Sequence, residues 1–328
     1  GYTVSVSKSQ GTDGNMTSAA NYAENKYSIT YHGNGAGNDT AVTESVYYTE
    51  NHALKANPYT KTGYVFSGWN TAADGTGTGY TDRQTVSKLA SASANNQSIH
   101  LYAQWIPVTY SVKYSGNGST AGSMTDSSYT YDKAGNLSPN KFEKKYTVTF
   151  NYNFAGLTNE KMEAKAAFNG WKGSNGKTYA DSASVTNLTS TNGGSVTMTA
   201  QWTPASIKLS APERLGYTFD GWYTAASGGT KIGAGGASFT PVGNTTYYAH
   251  WTPITYTIKF AGNGNTGGST ASMSVKYDQS ATLTANGFTK SGYSFAGWSC
   301  DETKYENKAS VKNLASANGA SVTLTAVW

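Results

Sequence analysis

Glycine and asparagine supply the first chemistry worth testing in this sequence. The stretch KFAGNGNTGG, residues 259–268, holds a G-x-G-x-x-G at Gly262, Gly264 and Gly267, directly behind a strand-like YTIKF. A dinucleotide site uses that spacing to open a helix whose amide groups meet a pyrophosphate. Here STASMSVKYDQSATL follows, polar and β-branched, and reads as a second strand. A near match begins at Gly116 with the same kind of sequel, and the copy from Gly33 to Gly37 breaks the fingerprint. Asn-Gly supplies the backbone angles of a tight hairpin turn, so the glycines turn a hairpin and no nucleotide cofactor is expected.

Other reactive residues are equally isolated. His32, His52, His100 and His250 show no H-E-x-x-H or comparable metal spacing, and His100 and His250 fall on outward-facing strand positions. Cys300 is the only cysteine, which excludes an internal disulfide and a cysteine metal site and leaves an unpaired thiol. No G-x-S-x-G elbow and no calcium-loop pattern occurs. Acids such as Asp13, Asp39, Asp74 and Asp132 lie in turns, and no two can be singled out as a glycosidase pair. Lys113 and Lys259 face outward by strand parity, against an isopeptide link. The chain therefore reads as non-enzymatic, with no catalytic, cofactor-binding or metal residues.

What the elements must position is instead a set of aromatic rings. Charged residues are 13% of the 328, aromatics another 13%, and glycine is abundant at 37 residues. A core built from Tyr, Trp, Phe and Val favours strands joined by many turns. The net charge of +5 is scattered, and the densest basic run, KFEKK at 141–145, contains a Glu. That gives no basic face for nucleic acid. No apolar run is long enough for a membrane span, and the chain is expected to be monomeric. Starting at Gly1 without a leader, it reads as a piece of a larger protein.

The anchors recur in order. YSITYHGNG (27–35), YSVKYSGNG (110–118) and YTIKFAGNG (256–264) alternate with one apolar face, as half-buried strands do. GYVFSGW, AAFNGW, GYTFDGW and GYSFAGW end in Trp69, Trp171, Trp222 and Trp298. IHLYAQW, VTMTAQW, TYYAHW and VTLTAVW end in Trp105, Trp202, Trp251 and Trp328, which accounts for all eight tryptophans. These eight are taken as core anchors, with a bulge at the Gly before each of the first four. Between the anchors, TVSKLASAS (85–93), SVTNLTS (184–190) and SVKNLAS (310–316) place Val and Leu three residues apart behind a Thr or Ser. That spacing predicts one or two turns of helix closing on each sheet.

This pattern resembles the Listeria–Bacteroides repeat, also called the internalin B-repeat, over roughly residues 25–328. The resemblance implies tandem small β-grasp-like modules, hence a β-rich α+β fold in an elongated array. The segmentation is a lead-in (1–24), then modules at 25–106, 107–203, 204–252 and 253–328. The third appears truncated, lacking its opening strand and Asn-Gly turn, and must lean on a neighbour or hold a smaller sheet. The second is enlarged by YTVTFNYNFAGLTNEKMEAKA, read as an inserted hairpin. Its tip offers a ligand-contact loop at Tyr152, Asn153, Phe154 and Asn159, and the loop Asp74–Arg83 is a second place to look. The resemblance further implies a non-catalytic stalk segment of an extracellular adhesin, attached to a Gram-positive cell wall through other regions or secreted. Host protein or glycan are the expected partners. A ligand-binding module proper and an accessory region of a secreted glycosidase are the alternatives.

Overall fold

The computed structural model describes residues 2–10, 16–93 and 95–328. Two compact units emerge: residues 1–142 with 168–201, and residues 143–167 with 202–328. The lead-in strands Tyr2–Gln10 and Met16–Glu24 pair antiparallel as a separate two-stranded hairpin.

The first unit shows how one repeat is built. Its opening strand Lys26–His32 lies between Val42–Tyr47 and the closing strand Gln97–Pro107, followed by the Gly-Trp strand Tyr64–Asn70 and the short Gly79–Tyr80. The opening and closing strands run parallel, with Ile29 opposite Ile99 and Tyr31 opposite Leu101. Alternation buries Tyr27, Ile29 and Tyr31 against Leu101 and Ala103, while Trp69 sits 1% exposed at the centre. The second repeat of this unit repeats the parallel pair, Val112 opposite Val196 and Tyr114 opposite Met198.

In the second unit, the repeat ending at Trp328 is assembled the same way. Met273–Lys276, Thr255–Ala261, Ser321–Val327, Gly297–Cys300 and Thr303–Tyr305 form its sheet in that order, with Ile258 opposite Val322. The repeat ending at Trp251 has no opening strand of its own between residues 204 and 252. Its closing strand Thr245–Pro253 pairs parallel with Lys144–Asn151, Val148 opposite Thr245 and Phe150 opposite Tyr247. Each partner of these isoleucines and valines stands six residues before the closing Trp, so the register is the same in all four parallel pairs. Val148 and Phe150 are fully buried with Trp222 and Ala249. The strand Glu160–Gly173 serves twice: Glu160–Ala166 pairs with Phe150–Lys144 in the second unit, and Trp171–Lys172, which belongs to the first unit, pairs there with Tyr179–Thr178.

The α+β expectation is overturned: the described residues hold strands and no helix. Where helix was expected, Thr85–Val86, Ser184–Val185 and Ser310–Val311 pair antiparallel with His52–Ala53, Gly135–Asn136 and Ala281–Thr282. The next turn is broken by Lys88, Asn187 and Asn313, at φ of 54, 54 and 56°. Val and Leu still point inward, because an extended pair followed by a left-handed residue also brings positions three apart to one side. A segment this short cannot meet the cost of helix nucleation once strand partners are at hand.

The Gly of each Gly-Trp is required on steric grounds. Gly68, Gly170, Gly221 and Gly297 have φ of 141, 98, 134 and 128°. A Cβ there would meet the carbonyl oxygen of Tyr80, Tyr179, Gly233 or Tyr305 at 2.6–2.8 Å. The register slips at Phe66/Gly68 and Phe219/Gly221, which turns the following indole into the core.

Candidate functional site

Two places carry side chains arranged beyond plain core packing. The first is the junction between successive repeats inside each unit. In the first unit, Val108 donates its N–H to Gly63 O (2.9 Å) and Tyr131 donates to Val108 O (2.9 Å). Tyr64 Oη donates to Asp132 Oδ2 at 2.7 Å, its ring edge-on to Tyr131. Asn187 closes the ring, donating from Nδ2 to Asp132 Oδ1 and accepting the Asp132 N–H, both at 2.6 Å. The second unit repeats this arrangement. Ile254 N–H meets Gly216 O (3.0 Å) and Tyr277 N–H meets Ile254 O (3.0 Å). Tyr217 Oη reaches Asp278 Oδ2 at 2.7 Å, and Asn313 clasps Asp278 at 2.9 and 2.6 Å. Gly63 and Gly216 have φ of 78 and 74°, and a Cβ at either would lie 2.3 Å from the ring of Tyr131 or Tyr277.

Electrostatics follow those bonds. Hydrogen bonds from Asn187 and then Tyr64 hold the Asp132 carboxyl below its ordinary value. Asn313 and then Tyr217 do the same for Asp278. Each tyrosine is correspondingly pushed up, first by its bond to the carboxylate.

The second place is the tip of the hairpin at Tyr152–Glu160, in the second unit. The four residues anticipated there are divided by the fold. Tyr152 turns inward, its ring 5.8 Å from that of Trp222, its hydroxyl on Glu160 Oε2 (2.8 Å) and its carbonyl accepting Trp251 Nε1 (2.8 Å). Asn153, at φ 54°, spends its amide on Ala226 O and Ala249 O. Phe154 remains 45% exposed and covers one face of the Arg214 guanidinium at 3.6 Å, with Tyr217 on the other face at 3.4 Å. Asn159 is exposed. Arg214, Leu215 and Tyr217 were missed by sequence reasoning. A usable signal existed: ERLGY (213–217) aligns with TKSGY (289–293), which puts a cation at the same step of each.

The eight tryptophans split into two kinds. Trp69, Trp171, Trp222 and Trp298 are at most 1% exposed, whereas Trp105, Trp202, Trp251 and Trp328 are half-buried. Trp105 and Trp328 donate to Gly33 O and Gly262 O at 2.8 Å, the same bond that Trp251 makes to Tyr152. Among the fully buried four, Trp222 donates to Ser210 O at 2.8 Å, while the indole N–H groups of Trp69, Trp171 and Trp298 find no acceptor.

Elsewhere, His32 and His100 meet at 2.9 Å and His32 stacks on Tyr102. Burial and then His100 push the His32 imidazole down. His250 stacks on Tyr223 at 3.9 Å. Among the described residues no group of three or more His, Cys, Asp or Glu is placed to hold a metal. Burial and then Asp301 push the Cys300 thiol up, away from thiolate reactivity. The Asp74 loop is closed on itself, since Asp74 Oδ1 accepts from Thr76 and the buried Asn70 amide holds Gly75 O and Gly77 O. No described helix is long and apolar enough to cross a membrane.

Comparison with known proteins places this geometry in context. The family model described as the Listeria-Bacteroides repeat domain matches residues 27–104, 174–250 and 256–327. The chain is 27% identical over 297 residues to a protein of Evansella cellulosilytica described as "Putative Gly-rich membrane protein", covering 86% of this chain and 32% of that one. It is 39% identical over 88 residues to Internalin H of Listeria monocytogenes, covering 27% of this chain and 15% of that one. The chain thus spans a third or less of the length of these relatives. Among solved structures, the crystal structure of Mub-RV aligns with 70% of this chain and 100% of its own, at 10% identity and a TM-score of 0.20.

Proposed function

Since this chain belongs to the Listeria–Bacteroides repeat family, we propose that it is a non-catalytic stalk segment of a bacterial cell-surface protein, one that holds successive repeats at fixed angles. The observation that carries this reading is the junction, built twice from the same Gly-Tyr, Tyr-Asp and Asn groups with the same hydrogen bonds. A freely swinging linker has no use for a tyrosine–aspartate–asparagine clasp. The names of the relatives, an internalin and a Gly-rich membrane protein, support an extracellular, surface-attached setting.

Strand geometry supports the same reading. In every repeat the chain enters along the opening strand and leaves along a parallel closing strand, at the opposite end of the sheet. Pulling the two ends apart therefore loads that ladder in shear, so its hydrogen bonds resist together and not one by one. We read the chain as four repeats. The first is 25–106 and the fourth 253–328. The second, 107–142 with 168–203, is interrupted by the opening hairpin of the third, which is 143–167 with 204–252.

The experiment is a distance measurement by paired spin labels at Ser45→Cys and Ser128→Cys, in a Cys300→Ser background. A narrow distance distribution is expected between the first two repeats. It should broaden in Asp132→Ala, where Tyr64 and Asn187 lose their shared acceptor. A broad distribution in the unaltered chain would remove the basis for a fixed stalk.

Adhesion through the third repeat is the second reading, favoured by the exposed Phe154, Leu157 and Leu215 that the second unit displays. Host protein or glycan would be the partner. Its support is confined to that surface.

A further inference from the structure

A cation stands two residues before the Gly-Tyr of three repeats: Lys61, Arg214 and Lys290. In the first and fourth it lies above the tyrosine three residues on, Lys61 Nζ 4.4 Å from the Tyr64 ring and Lys290 Nζ 4.9 Å from the Tyr293 ring. Lys290 also donates to Asn263 O at 3.1 Å, so there the charge is spent on closing the Asn-Gly turn. The third repeat departs at both ends of this contact. Phe154 replaces the second glycine of the turn, and Arg214 replaces the lysine, held between Phe154 and Tyr217.

Covering both faces of a planar guanidinium leaves only its edge, where the N–H groups lie. Among the described residues Arg214 forms none of the ion pairs present. Its Nε is buried and finds no acceptor. The stack borders a groove of about 560 Å³ within the second unit, lined by Arg214, Tyr217, Trp251, Ser316 and Asn318, with the exposed Glu213 as the one acid of the lining. Thr218, Ser316 and Asn318 stand beside Trp251 and Phe219 in the lining, a mixture of hydroxyl, amide and ring groups that suits a hydroxylated ligand. Leu215, 71% exposed, and the outer face of Phe154 add apolar surface at the rim.

We infer that this groove binds a carbohydrate bearing a carboxylate, of the sialic acid or uronic acid class, with the carboxylate on the Arg214 edge. Rigid forked donors pair with a planar carboxylate through charge-assisted hydrogen bonds, which a lysine cannot reproduce. Ser316 and Asn318 offer hydroxyl and amide groups to sugar hydroxyls, and Trp251 an apolar ring edge to sugar C–H groups. The inference deepens the second reading above and stands apart from the stalk role, which the spin-label distances test on their own.

The test is a printed glycan array probed with the full chain. It carries sialylated glycans, glucuronate- and galacturonate-terminated glycans, and the same structures with their carboxyl groups reduced. Binding to acidic forms over reduced forms is expected. Arg214→Gln should weaken it by roughly ten- to a hundred-fold, and Lys290→Gln, at the matching place in the fourth repeat, should leave it unchanged. Binding confined to the sialylated or to the uronate arm supports the proposal and identifies the source. Equal binding of reduced glycans, no binding at all, or binding that survives Arg214→Gln would overturn it. If Arg214→Gln fails to fold by near-ultraviolet circular dichroism, Arg214→Lys carries the test, because it keeps the charge and removes the fork. Undiminished binding by that variant would overturn the proposal equally.

Discussion

The third and fourth repeats arrive at the same parallel strand pairing by different chain paths. In the fourth, Trp328 donates to Gly262 across 66 residues; in the third, Trp251 donates to Tyr152 across 99. Both use a left-handed Asn, Asn263 and Asn153, to bond the carbonyl two residues before that Trp, Ala326 O at 2.9 Å and Ala249 O at 3.3 Å. What defines a repeat is therefore a parallel strand pair with an Asn turn and an indole latch, and not an unbroken segment of chain. The glycines beside that Asn are replaceable, since Tyr152 and Phe154 stand in their places. The left-handed Asn is present in both.

The comparison is broken most severely by removing residues 143–167. Val148 and Phe150 leave the core of the third repeat with them. We expect that repeat to lose its cooperative unfolding transition while the fourth keeps its own, as read by amide hydrogen exchange. Equal protection of Ala249 and Ala326 after the deletion would contradict the shared register.

A smaller effect separates the two buried indoles. Trp222 has an acceptor in Ser210 O and Trp298 has none. Trp→Phe at 222 should therefore cost about 1 kcal/mol more than at 298, since only the first change strands a carbonyl and breaks a bond. Urea unfolding of the two variants measures the difference.

Asn153→Ala and Asn263→Ala come next, each expected to lose about 1–2 kcal/mol from the bond and the left-handed backbone together. Asn→Gly at the same places should restore part of it, because glycine accepts that backbone angle freely. Parity between the two repeats is the expected outcome, and a loss only in the fourth would show that the third turn is held by something else.

The smallest effect is on acidity. Asp132 and Asp278 have folded values lowered by their hydrogen bonds. Their contribution is complete above the ordinary carboxylate value near ~4. It fades as pH falls through the lowered value, where the unfolded chain has already taken up its proton. Both junctions should loosen together below that point, visible as broadening of the Ser45–Ser128 label distances and of an equivalent pair across Asp278.

Much of this was legible in the sequence. Period-2 alternation gave Tyr27, Ile29 and Tyr31 their common face, and the Gly-Trp pairs announced the bulges. The helix expectation failed because Val86 with Leu89 satisfies two geometries, and only Lys88, Asn187 and Asn313 in the left-handed region distinguish them. On the four-repeat reading, the opening strand of the third repeat reads as an insertion because it lacks the glycines of the other turns. Matching YTVTFNYNF to YSITYHGNG by its Tyr, Val, Phe and Asn alone would have exposed it. Arg214 escaped notice because its partners lie on distant segments, and only the fold brings Phe154 to it.

The chain order of the middle hairpin also bears on how such arrays can change by recombination. Unequal crossing-over at Ile106–Val108 would add or delete one whole module and leave its neighbours intact. The same event at Thr203–Ala205 would separate each of two modules from its own complement. On the four-repeat reading proposed above, the second and third repeats would be duplicated, lost or transferred together as one cassette.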